Sequence, residues 1–301
     1  MTNLLTYDYT VPGTCNDFGF GTGGTTRAPV GDIYATEHIL ELQMVPIFLD
    51  KMDSDFGPRA FPSFRPGADS SLTRSFCQAI NELWMRVPQN SRFDMGDSIT
   101  RDPIDHIMPV YPGNDNTHTN EFVLLEKGVN TAKEGMWGRH AINADATMTS
   151  YMQAEPDRAV RNLKDVMTAL KYMQDTTINA RLVAQKERVA ARLKALDEDK
   201  MPNWNRVQSG GTWKKWESKD LEGKWNEFMK KQGQNARDKA VAYMDDNLQS
   251  LEDAYMTASN QKQADKPGEQ NKLLKERLEK MKKLREEWNR YKPNAWKNPF
   301  A

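Results

Sequence analysis

Residues 105–137 read DHIMPVYPGNDNTHTNEFVLLEKGVNTAKEGMW. Asp105-His106 precedes a loop carrying Pro109, Pro112 and Gly113; Asn120 precedes an apolar run at 122–125; Asn130 and Lys133 follow. Ile104 and Ile107 flank the Asp-His pair, and the two prolines limit helix beyond it. Residues 114–120, made of Asn, Asp, Thr and His, read as loop. Phe122-Val123-Leu124-Leu125 is rich enough in β-formers for a short strand. From Glu126 onward Val129, Ala132 and Met136 recur at helical spacing, so a helix begins near there, and Gly135 and Gly138 weaken or end it. The expected order is strand, loop, strand, helix, with the Asp-His pair closing the first strand and Asn130 in the first turns of the helix. A strand end and a helix start can converge on one metal ion. Taken singly, Asp-His-x-x-Pro also suits a surface turn, and Asn120 and Asn130 suit a loop residue and a helix cap.

As an ordered set, the stretch resembles the core of the HNH, or His-Me finger, endonucleases. The features in common are Asp105-His106-Ile107-Met108-Pro109, Gly113, Asn120 ahead of the apolar strand, and Asn130 with Lys133, over about 35 of 301 residues. The resemblance implies a ββα-metal core and a Mg²⁺-dependent (or Mn²⁺-dependent) endonuclease cleaving phosphodiester bonds of DNA, with RNA as the second substrate. His106 would be the general base, its ordinary pKa near 6.5 suiting the task. Asp105 and Asn130 would hold the cation through oxygen, as hard cations prefer. Asn120 would brace the loop that aims His106. Lys127, Lys133, Arg139 and His140 would contact phosphate. The chain departs from the family pattern at Glu121, where an apolar residue is usual, and in its cysteines. Cys15 and Cys77 are singletons far upstream, so no structural zinc motif is legible.

A second segment, Gly23-Gly24-Thr25-Thr26-Arg27 followed by residues 33–41 (IYATEHILE), is similar to a region of fungal secreted proteins that are killer-toxin-like or associated with chitinase modules. That resemblance implies a toxin module. Residues 19–24 match GxGxxG by letter, but no strand clearly precedes them and no helix follows at once, so a dinucleotide site is set aside. Glu37-His38 with Glu41 lacks the second histidine of a zinc protease, and His38 reads as structural or surface.

Composition bounds the rest. Hydrophobic content of 38% and charged content of 28% suit a soluble chain long enough to bury a core. Formal net charge is zero. Residues 201–301 nevertheless hold 21 Lys+Arg against 15 Asp+Glu, leaving the first 200 net acidic by 6. That basic third is a source of phosphate affinity, although a solvated helical face of mixed charge explains most of its lysines. No apolar stretch is long enough to span a membrane. Residues 1–13 lack signal-peptide features, so the expectation is a cytoplasmic or nuclear protein, or the mature part of a secreted toxin or effector.

The fold expected is α+β and mostly helical, with the ββα-metal core embedded among helices and a C-terminal helical extension. The boundaries expected are an HNH-like domain over 1–150 with an irregular start, a long helical segment over 151–200, and a helical region over 212–301. Residues 36–49 read as helical with Pro46 kinking or ending a turn, and residues 52–69 as loop. A helix through Leu72, Phe76, Ile80, Leu83 and Trp84 is capped from Asp69, Ser70 or Ser71. Pro156 opens a long helix interrupted at 175–177. Trp213, Trp216, Leu221, Trp225 and Phe228 give an aromatic helical segment. Such aromatics can stack on bases, but core or partner contact is the commoner use. The C-terminal helices suit a partner protein. The competing function is therefore a non-catalytic interaction or nucleic-acid-binding protein on a degenerate HNH scaffold.

Overall fold

The computed structural model describes residues 4–11, 17–26, 33–113, 118–204, 207–208, 211–263 and 269–301. Cys15, residues 114–117 and Pro267-Gly268 lie outside them. The fold is α+β, about 62% helical, with a small mixed sheet. In chain order the elements are β1 (Leu4–Tyr9), β2 (Phe20–Thr26), β3 (Tyr34–Glu37), α1 (Met44–Phe56), β4 (Phe61–Pro62), β5 (Thr73–Arg74), α2 (Phe76–Leu83), β6 (Val123–Glu126), α3 (Lys127–Trp137), α4 (Asp145–Ala154), α5 (Pro156–Gln174), α6 (Thr176–Lys194), α7 (Met201–Asn203), β7 (Val207–Gln208), β8 (Gly211–Thr212), α8 (Leu221–Gln263) and α9 (Glu269–Tyr291). No described helix is long and apolar enough to cross a membrane. The contacts divide the chain into two compact units interleaved in sequence. The first is Met1–Ile39, Phe122–Ala180 and Lys230–Ala301; the second is Leu40–Glu121 and Arg181–Met229.

The first unit is organised by a sheet of order β2-β1-β6-β3. β6 pairs parallel with β1 and antiparallel with β3, and all four of its residues are buried. A strand covered on both faces needs a continuous apolar run, which 122–125 supplies. Residues 34–37 form β3 rather than the start of a helix, because Tyr34 to Glu37 complete the ladder against Glu126 to Val123. β6 passes directly into α3, whose first turn is capped when the Glu126 carboxylate accepts from the Val129 N–H at 2.9 Å. α3 packs on α5, and α5 on α4 and α9. Gly135 permits that helix to approach the next segment, since a Cβ there would lie 2.9 Å from the Ile142 backbone. The end of α3 is closed by Lys239, whose ammonium donates to the carbonyls of Gly135 at 2.6 Å and Gly138 at 2.9 Å, and to that of His140. The break between α5 and α6 falls at Asp175, which accepts from the N–H groups of Thr177 and Ile178.

A polar cluster is buried in this unit. The Tyr9 hydroxyl donates to Asp165 at 2.6 Å, and the Lys164 ammonium sits 3.8 Å from the centre of the Tyr9 ring. Burial, helped by the charge of Glu126, pushes the Asp165 carboxyl up to about 7.

In the second unit α1 begins at Met44 and runs past Pro46. Proline is tolerated in a first turn, where its missing N–H has no partner to lose, so Pro46 helps open the helix instead of ending one. α2 is capped by Ser75 in a capping box with Gln78, four to six residues inside the expected positions at Asp69, Ser70 or Ser71. Trp216 is the hub of the core, stacked on Phe61 and Phe64 with centroids 5.8 Å away in both cases and packed on Trp84 at 5.2 Å. Phe48 meets Trp225 and Phe228. These aromatics are core and not an exposed stacking platform. The expected helix from Trp213 begins only at Leu221, because Asp197 holds residues 216–221 in an irregular path. It accepts from Trp216 Nε1, Ser218 Oγ and the N–H groups of Lys219 and Leu221, at 2.7 to 3.1 Å.

Candidate nucleic-acid interface

The Asp-His pair lies in the second unit, in a 3-10 turn at Pro103–His106 followed by another at Met108–Val110. The strand expected to end at His106 is absent. Pro103 and Pro109 each open one of these turns, and neither can donate to a β-ladder. Asp102 anchors the first turn by accepting from the N–H groups of Arg86 and Val87 and from Arg92 Nε.

His106 is 1% exposed and stacked on the Phe93 ring at 4.9 Å, with 8° between planes. Its Nε2 lies 2.9 Å from the Phe93 carbonyl. A carbonyl only accepts, so the proton resides on Nε2 and the Nδ1 lone pair is left over. Nδ1 is buried and has no hydrogen-bond partner among the described residues. Burial first, then the charges of Arg101 and Arg192, lower the His106 pKa and keep the ring neutral.

The other residues singled out in the sequence are dispersed. Asp105 is exposed; Asn120 is exposed in the 3-10 turn Thr119–Glu121. Both belong to the second unit. Asn130, half-buried in α3, belongs to the first, with Lys127, Lys133, Arg139 and His140. Lys127, Arg139 and His140 are exposed. Lys133 is fully buried, ion-paired with Glu37 and donating to the His38 carbonyl at 3.1 Å. Its reading as a phosphate contact is corrected to that of an internal ion pair. Asp105 and Asn130 fall in different units, and no three His, Cys, Asp or Glu side chains form a ligand group among the described residues.

A cleft of about 650 Å³ lies in the second unit, lined by Met95, Asp97, Ile99, Arg101, Pro109, Val110, His118, Arg188, Ala191, Arg192, Ala195 and Lys200. Asp94 shapes one lip by accepting from the N–H groups of Gly96, Asp97 and Ser98. Arg101 pairs with Asp97 at 2.5 Å. Glu121 faces α6, where both carboxylate oxygens engage Arg188 at 2.9 and 2.6 Å and Gln185 donates at 2.8 Å. The unusual carboxylate of the HNH-like stretch thus neutralises an arginine of the cleft. The sequence reading placed basic residues in the C-terminal third and passed over Arg188 and Arg192. Their four-residue spacing on a helix was the legible signal.

Comparison of the chain with protein-family models, with curated proteins and with solved structures returns no match.

Proposed function

We propose that this chain binds nucleic acid through the cationic cleft of its second unit. The observation that carries the reading is the convergence of Arg192 and Lys200, with the ion-paired Arg101 and Arg188, on one cleft walled by Pro109, Val110 and His118 of the HNH-like stretch, where Asp97 is the one carboxylate among the lining residues. With zero formal net charge, attraction for phosphate has to be local, and a cleft that gathers cations supplies it. The test is fluorescence anisotropy with labelled single- and double-stranded DNA and RNA at low and high salt. The expected result is binding that weakens with salt and falls about tenfold in Arg192→Glu. Binding indifferent to salt and to that substitution sinks the proposal.

The second reading is a metal-dependent endonuclease of the His-Me finger kind, with DNA preferred to RNA. It is favoured by the state of His106: a neutral imidazole, its proton held on Nε2, leaves the buried Nδ1 lone pair as a basic atom of the kind a general base needs. The 1% exposure of that ring favours binding without cleavage. Plasmid nicking with Mg²⁺ by wild type and His106→Ala separates the two. Cleavage by wild type alone supports catalysis, whereas no cleavage, or equal cleavage, rejects it. Calorimetric titration of Mg²⁺ into wild type and Asp105→Ala checks the cation independently.

A further inference from the structure

We infer that the cleft of the second unit is a nucleotide site, taking one phosphate on Arg192 and Lys200 with its nucleoside against Met95, Ile99 and Val110. The inference deepens the reading above by naming the unit recognised. The cleft volume of about 650 Å³ lies in the range of small-molecule sites and is large enough for one nucleotide.

The charges single out Arg192. Arg101 and Arg188 are each held by a carboxylate at 2.5 and 2.6 Å, and Lys200 is more loosely paired with Asp199 at 3.4 Å. Arg192 donates only to the Met95 carbonyl at 3.4 Å, and among the described residues no carboxylate pairs with it. A half-exposed guanidinium with no carboxylate partner among the described residues, set in a concave wall, is a fork suited to phosphate oxygens. Beside it stand apolar groups that water alone does not satisfy: Ile99 is 49% exposed and lines the cleft with Met95 and Val110. An anion with an apolar, planar body meets both requirements, and inorganic phosphate meets only one. Splayed bases of single strands stack on arginine planes, and the apolar side chains beside Arg192 would cover the rest of the nucleoside.

The backbone supports a built site. Residues Ala195–Lys200 form a π-helix, a geometry frequent at functional sites. In an α-helix, positions 197 and 200 would share a face. The wider π turn separates them, so Asp197 is buried beneath Trp216 and Leu221 while Lys200 lines the cleft.

The experiment is calorimetric titration of the full chain with AMP, adenosine, inorganic phosphate and a short single-stranded oligonucleotide. AMP is expected to bind about tenfold tighter than either adenosine or phosphate, and Arg192→Glu to weaken it about tenfold or more, with Arg192→Lys, which keeps the charge but not the fork, in between. If Arg192→Glu does not fold, Arg192→Gln carries the same expectation. Phosphate binding as tightly as AMP, or AMP affinity unchanged in the charge variants, overturns the inference. The arms separate it from the function proposed above. AMP without oligonucleotide binding leaves a small-nucleotide site and removes nucleic acid. Oligonucleotide without AMP binding removes the nucleotide site and keeps nucleic acid.

Discussion

The two halves of the 105–137 stretch are adjacent in the chain yet belong to different compact units, divided between Glu121 and Phe122. The second half became the strand and helix that its pattern required: Val123–Glu126 is the buried central strand and Lys127–Trp137 the helix after it. The first half carries 3-10 turns where a strand ending at the Asp-His pair and then a loop were expected. An unbroken apolar run pays for its own burial whichever strands flank it, whereas isolated isoleucines between prolines have neither the periodicity nor the N–H groups for a ladder. The difference teaches that residue order alone, which the HNH resemblance rests on, survives such a change of local structure, so it is weak evidence of geometry.

The largest expected effect lies in the second half. Lys133→Met removes the ammonium that pairs with the buried Glu37, which costs about 3–5 kcal/mol in urea denaturation. Adding Glu37→Leu should restore most of it. A loss below about 1 kcal/mol for the single variant would mean that the pair is hydrated after all.

Next comes Asp165, beside Glu126 and Gly128 of the same half; a Cβ on Gly128 would lie 2.5 Å from its Oδ2. A carboxyl raised from 3.8 to about 7 favours the folded state fully below its unfolded pKa, and this contribution is lost as pH rises through about 7. Asp165→Asn, an isostere of the protonated form, should match wild type near pH 4. Near pH 8 it should exceed wild type by at most roughly 3–4 kcal/mol. Parallel melting curves at both pH values would show that Asp165 ionises without penalty.

In the first half His106→Phe keeps the stack on Phe93 and removes the hydrogen bond to its carbonyl. The cost expected at pH 7 is about 1–2 kcal/mol. A lowered histidine pKa means that the contribution of the neutral ring is present above its unfolded pKa and lost as pH falls towards the native value. The variant should therefore lose less stability than wild type between pH 7 and pH 5. An unchanged acid limb contradicts the buried neutral ring. The smallest effect belongs to Asp105→Ala: at an exposed site the change should stay within about 0.5 kcal/mol by the same denaturation. A larger loss would reveal an internal role for that carboxylate and blur the contrast between the halves.

Much of the fold was legible where a short-range pattern dictates a structure. Pro156 opened α5, Asp175 marked its separation from α6, and the apolar run at 122–125 identified the central strand to within one residue. The site was less legible. Lys133 follows Asn130 in the sequence as a phosphate contact would, but Glu37, far away in the chain, decides that it is buried. Arg192 was invisible as a ligand group, because having no carboxylate partner among the described residues is a property of what surrounds it.

By itself the sequence determined an α+β chain, the strand and helix of 122–137 and the helical remainder. Those follow from periodicity and from the backbone limits of proline and glycine, which act within a few residues. Only the tertiary structure decided that His106 is a stacked, neutral interior ring and that Lys133 is an internal counter-ion. It also brought residues 95–110 and His118 together with residues 188–200 around one cleft. The physical reason is that charge state and exposure depend on dielectric and partners, and partners are supplied by segments distant in the chain.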